Sequence, residues 1–221
     1  MLDQRLATRV ENFVSRLKRE SVCMHGFILD VRGEVKATAY YSPFEEGKAH
    51  RMYSVSKSMT ALAIGLLLDE GKISLDDRIA DYFRDFLPEK PDARLMRLKI
   101  RDMLRMATCY RATVYRETDD DWTKPFFTAE PTHEPGTVFH YDTGCSQVLA
   151  ALVARLTGQQ VMDYLTERVF TPLGADDEKH WLCDPAGTCQ GDTGLCMSLR
   201  DLHKVTWTAG AEFCRNGSAG R

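Results

Sequence analysis

Apolar positions recur along this chain in two rhythms. Near the N-terminus Leu6, Val10, Phe13, Val14 and Leu17 share one face of a 3.6-residue period, which predicts an amphipathic helix. The next stretch, HGFILDVRGEVKATAYY, is rich in β-branched and aromatic residues and is broken at Arg32-Gly33. It predicts a hairpin with Gly33 in the turn. SPFEEGKAHR reads as a loop and delivers the chain into MYSVSKSMTALAIGLLLDEGK. There Met59, Leu62, Ala63, Leu66 and Leu67 recur at helical spacing, and Gly71 stands where a left-handed C-terminal residue belongs.

From about residue 75 to 175 the pattern is mainly helical. Asp76 and Asp77 are candidate caps for RIADYFRDFL, and KIRDMLRMA reads as a short helix. SQVLAALVARLTG and QQVMDYLTERVFTPLG read as two amphipathic helices, each closed by glycine. Between them and the first part lies RETDDDWTKPFFTAEPTHEPGTVF, irregular and rich in proline and acidic residues. Loops of that length inside a domain often carry function.

Composition narrows the choices. The 221 residues suffice for a substantial core, and 43% hydrophobic with 28% charged residues is ordinary for a globular chain. A net charge of −3 gives no basic footprint for nucleic acid. No run approaches the roughly 20 apolar residues of a membrane span, and MLDQRLATRVENFVSRLKRE is too polar for a secretory signal. Seven cysteines without paired spacing fit a reducing compartment. The expectation is a cytoplasmic protein with no nucleic-acid or membrane partner.

The chemistry concentrates in YSVSKS. Ser54 and Lys57, three residues apart, share a helix face with Cβ atoms about 5–6 Å apart. Serine needs an adjacent base to act as a nucleophile. A lysine serves when burial and the positive helix end favour its neutral form. The same S-x-x-K spacing occurs at Ser15 and Lys18, deep in the first helix, where it reads as a solvated surface. Ser56 and Ser58 lack a lysine three residues on and read as packing or capping residues. No G-x-S-x-G elbow presents a serine to a histidine. His180 with Cys183, Cys189 and Cys196 lacks the C-x2-4-C pairing of a structural zinc site, and the charge run Glu117 to Asp121 reads as solvated. No metal and no cofactor is expected.

The stretch MYSVSKSMTALAIGLLLDEGKISLDDRIADYFRDFLP resembles the serine hydrolases related to class C β-lactamases and D-alanyl-D-alanine carboxypeptidases. EPGTVFHYDTGCSQVLAALVARLTG resembles that family's P-G-x-x-F-x-Y-S-N block, VFTPLGADD its P-L-G stretch, and GDTGLCMSLRDLHK the glycine-rich segment before T-x-x-D-L. The resemblance implies a nucleophile at Ser54, with Lys57 and Tyr141 as the proton-transfer pair. It also implies a substrate contact from Thr143, where relatives carry Asn. His140, beside Tyr141, reads as a structural or pocket-lining residue and Trp122 as a further candidate for the cleft, both counted as substrate-binding candidates by position alone.

The implied fold is α+β and β-lactamase/transpeptidase-like: an N-terminal helix and antiparallel hairpin, a mostly helical domain, and C-terminal sheet strands missing. The expected division is residues 1–74, 75–190 and 191–221. TWTAGAEFCRNGSAGR matches neither the K-T-G nor the H-x-G motif of the family's later strands. The implied activity is hydrolysis of an ester, amide or β-lactam through an acyl-enzyme, with a small-molecule or peptide-like acyl substrate. The rival is a non-catalytic fragment acting as a binding or scaffold module. Self-association through an unpaired sheet edge is a further expectation.

Overall fold

The computed structural model describes residues 4–114 and 119–207, so the segment 208–221 and Glu117 lie outside the described residues. The structure is mixed helix and sheet. Helix α1 covers Gln4–Arg19 and buries none of its residues; Leu6, Val10, Val14 and Leu17 are half-covered along its apolar face. Strands β1 (Gly26–Val31) and β2 (Glu34–Tyr40) form the antiparallel hairpin, and Arg32 and Gly33 both take positive φ in its turn. Two consecutive left-handed residues match the strand twist, which is why Gly33 suits the second place.

After β3 (His50–Arg51) comes α2 (Val55–Asp69), closed by Gly71 at φ 67°. Its buried face is Ser56, Met59, Thr60, Ala63, Ile64 and Leu67, while Leu62 and Leu66 lie beside it. The RIADYFRDFL region yields only α3 (Ile79–Tyr82) and a 3-10 turn, Arg84–Phe86. Neither aspartate caps it: Asp77 Oδ2 accepts from Ser74 N at 2.7 Å, and Asp76 pairs with Lys99 and Arg101. Helix α4 is Ile100–Leu104, and the irregular stretch contains a short α5 at Pro125–Thr128.

Helix α6 (Thr143–Thr157) begins three residues before the predicted start of its pattern. Helix α7 (Val161–Leu165) runs into a π turn over Thr166–Phe170. Strands β4 (His180–Trp181) and β5 (Leu195–Met197) then pair antiparallel, and a helix over 199–207 follows.

These elements gather into two units. One comprises the described parts of Met1–His50, Val169–Lys179 and Met197–Arg221. In it Phe13 meets Phe27 edge-on at 5.7 Å, Asp177 accepts from Ser198 Oγ at 2.6 Å, and Asp30 faces His203 at 3.1 Å. The other comprises the described parts of Arg51–Arg168 and His180–Cys196. Its core is α2 against α6 and α7, with Gly144 through Val153 of α6 all buried. Phe83 stacks on Phe127 at 4.8 Å, and Tyr110 donates to the Phe126 carbonyl at 2.6 Å. Beyond the end of α2, Glu70 accepts from Arg168 and Tyr164 and pairs with Lys72. Lys72 first, then Arg168, hold its carboxyl down at about 2.

Candidate active site

Ser54 is the N-cap of α2, yet its hydroxyl makes no capping bond. A serine at this place ordinarily spends its oxygen on the helix N–H groups; here Oγ faces two other side chains. Lys57 Nζ donates to it at 3.3 Å and the Tyr141 hydroxyl at 2.9 Å. Lys57 Nζ also lies 5.2 Å from the Tyr141 ring centre. Ser54 and Tyr141 are exposed, so the group opens to solvent. A serine hydroxyl, a lysine amine and a phenol thus meet at one oxygen, a set chemically able to move a proton from serine to a leaving group.

Each member is held by its own element. Tyr53, just before the serine, has φ 46°, a conformation that costs a non-glycine residue about 1–3 kcal/mol. Its ring lies 4.9 Å below the Arg51 guanidinium. Tyr141 stands between two anchored neighbours. His140 N donates to Met106 O at 2.9 Å, and the buried Asp142 caps α6 by accepting from Gly144 N at 2.8 Å. Burial pushes the Asp142 carboxyl up, and this bond opposes the rise.

Lys57 is placed by the segment that returns through Gly191 to Leu195. Its Nζ donates to Asp192 O at 3.0 Å. One position earlier Ser56 Oγ accepts from Leu195 N at 3.0 Å, and one turn later Thr60 Oγ1 donates to Gly191 O at 2.8 Å. These three bonds tie the face of α2 to that strip. Gly191 is required by close approach, because a Cβ there would run into Ser146 O and Ala150 Cβ. Beside Lys57 lies a cavity of about 220 Å³ walled mainly by Ala61, Met103, Leu104, Met106 and Leu149.

The structure therefore brings together Ser54, Lys57 and Tyr141. His140 and Thr143 flank the tyrosine, His140 through its backbone bond and Thr143 as the first residue of α6. The Trp122 backbone N–H donates to Asp184 Oδ2 at 3.2 Å, an oxygen that Gln147 also reaches. Ser58 is exposed at the cavity edge, and Ser15 and Lys18 are exposed on α1. Sequence reasoning missed Thr60 and Asp192 as links between this helix and the returning strip. The G-D-T-G spacing was their visible trace, since paired glycines mark close backbone approach.

The chain is similar to several known proteins. It is 27% identical over 217 residues to a 6-aminohexanoate-dimer hydrolase of Paenarthrobacter ureafaciens, covering 90% of this chain and 55% of that one. It is 33% identical over 150 residues to penicillin-binding protein 4 of Amycolatopsis lactamdurans, covering 65% and 37%. A class C β-lactamase solved in complex with cefoxitin superposes with a TM-score of 0.74 at 15% identity, over 90% of this chain and 64% of that one. The fold is thus β-lactamase/transpeptidase-like, and the chain spans about half the length or less of these curated relatives. The Beta-lactamase family model matches residues 26–213, which takes in the hairpin, the S-x-x-K helix and the Tyr141 block. The chain belongs to the Beta-lactamase family.

Proposed function

We propose that this chain carries the reacting group of a serine hydrolase that opens an amide, ester or β-lactam carbonyl through an acyl-enzyme at Ser54. The observation that carries the reading is Ser54 Oγ, free of capping duty and within 2.9 Å of Tyr141 Oη and 3.3 Å of Lys57 Nζ. In the proposed reaction Oγ bonds to the carbonyl carbon as its proton leaves, and the carbonyl electron pair moves onto oxygen. The Ser54 N–H, at the positive end of α2, is the proposed donor to that oxyanion. Collapse expels the leaving group with the returned proton, and water later releases the acyl group.

Amide and β-lactam carbonyls are favoured as substrates because the curated relatives are named as a dimer hydrolase and a penicillin-binding protein. Cysteine usage supports work in a reducing compartment such as the cytoplasm. No helix among the described residues is long and apolar enough to cross a membrane.

Intact-protein mass after exposure to a fluorescent penicillin or a fluorophosphonate tests the reading. One adduct per chain, lost in Ser54→Ala, is expected. A folded chain that takes neither probe refutes it.

A further inference from the structure

Cys183 and Cys189 face each other across an antiparallel bridge in the stretch between β4 and β5. Asp184 N donates to Thr188 O at 2.9 Å and Gln190 N to Leu182 O at 2.8 Å. These bonds flank the two cysteines and leave them as the non-hydrogen-bonded pair between. Such pairs bring their Cα atoms to about 4.5 Å and their side chains close together. That spacing lies within the roughly 4.4–6.8 Å that a disulfide spans. The two sulfurs, both free thiols, are 3.5 Å apart.

The loop that joins them is fixed at several points. Asp184 Oδ1 accepts from Thr188 N at 2.8 Å, Gly187 turns the chain at φ 90°, and Ala186 N donates to Asp120 O at 3.0 Å. Cys189 N donates to Gln160 Oε1 at 3.0 Å. The thiols differ in access. Cys183 is exposed, whereas Cys189 is 2% exposed and burial pushes its thiol up. An oxidant arriving from solvent therefore meets Cys183 first, with Cys189 behind it as the second sulfur.

We propose that Cys183 and Cys189 form an oxidation site for a low-molecular-weight disulfide, whose product is an intramolecular disulfide clamping the base of the strip from Gly191 to Leu195. In the first step Cys183 Sγ gives up its proton and bonds to one sulfur of the oxidant. The S–S bond of the oxidant breaks, and one small thiol leaves with that proton. Cys189 Sγ then bonds to Cys183 Sγ, and the second small thiol departs with the Cys189 proton. Two protein thiols lose two electrons, and one external disulfide is reduced to two thiols. The sulfurs close from 3.5 Å to about 2 Å. Gly191 O and Asp192 O, which hold Thr60 and Lys57, lie just beyond Cys189. The inference is independent of the Ser54 reading.

The first test is peptide mass after the folded chain meets oxidised glutathione. Cleavage after Lys179 and Arg200 leaves Cys183, Cys189 and Cys196 in one peptide. That peptide is expected to lose two hydrogens, to regain them on reduction, and to behave the same in Cys196→Ser. In Cys183→Ser, a change at an exposed position, the loss is expected to vanish. In Cys189→Ser it is expected to give way to one glutathione retained on Cys183. No loss of two hydrogens in the wild-type chain, or a loss that survives either of those two substitutions, overturns the proposal. The second test is amide exchange at Leu195 N, which donates to Ser56 Oγ. Oxidation is expected to slow it about tenfold by suppressing local opening of the strip. An equal or faster rate in the oxidised chain refutes the clamp.

Discussion

Two helices of this protein carry the same S-x-x-K spacing, and their surroundings share almost nothing. On α1, Ser15 and Lys18 project into solvent near the C-terminal end of a helix that buries no residue. On α2, Ser54 stands at the helix mouth behind a left-handed tyrosine, while Lys57 is held by a carbonyl 135 residues away in sequence. The spacing supplies proximity in both. Only in α2 does the rest of the chain supply a third group, a fixed lysine and an uncommitted serine oxygen. The grouping of the three side chains resides in the long-range bonds, which the tetrapeptide does not encode.

The comparison can be broken at three depths. Lys57→Met and Tyr141→Phe are each expected to slow Ser54 labelling by about 10²–10⁴-fold, the range for removing one proton-transfer group. Lys18→Met should leave labelling unchanged; a slowdown there would mean that α1 takes part. Next comes packing. Leu67→Ala empties a wholly buried site on α2 and should cost about 2–5 kcal/mol in denaturant unfolding. Leu17→Ala, half-covered on α1, should cost less than about 1 kcal/mol. Equal costs would remove the contrast between the helices.

The smallest effect concerns hydroxyls. Thr60 Oγ1 donates to Gly191 O in the interior at 2.8 Å, whereas Thr8 Oγ1 donates to Gln4 O at an exposed turn at 3.0 Å. Thr60→Val should cost about 1–3 kcal/mol by orphaning a buried carbonyl. Thr8→Val should be near neutral by the same unfolding measurement.

Much of this was legible from sequence because it is local. The Arg32-Gly33 turn, the apolar run of α2 and its Gly71 stop depend on neighbours within a few residues. The Tyr141 block was legible by resemblance, and its geometry with Ser54 follows from α2 packing on α6. What escaped depends on distant partners. Asp76 and Asp77 looked like caps, but Asp76 turned to Lys99 and Arg101, residues no short window contains. The amphipathic period placed Leu62 and Leu66 on the buried stripe, whereas hydrogen bonds to the returning strip bring Ser56 and Thr60 inside. A polar residue enters a core when its partner is assured, and that partner lay beyond residue 190. The bond from the Trp122 backbone N–H to Asp184 is another that no short window contains.

The link between Lys57 and Asp192 also sets a clock. The two residues are separated by 135 positions. At about 5–20 residues per second of synthesis, roughly 7 to 27 seconds pass between the making of the lysine and that of its carbonyl partner. Throughout that interval the nascent chain carries Ser54 and Lys57 without the strip that holds Lys57. The grouping of Ser54, Lys57 and Tyr141 therefore arrives late, with the closing of the interior rather than with the translation of the motif.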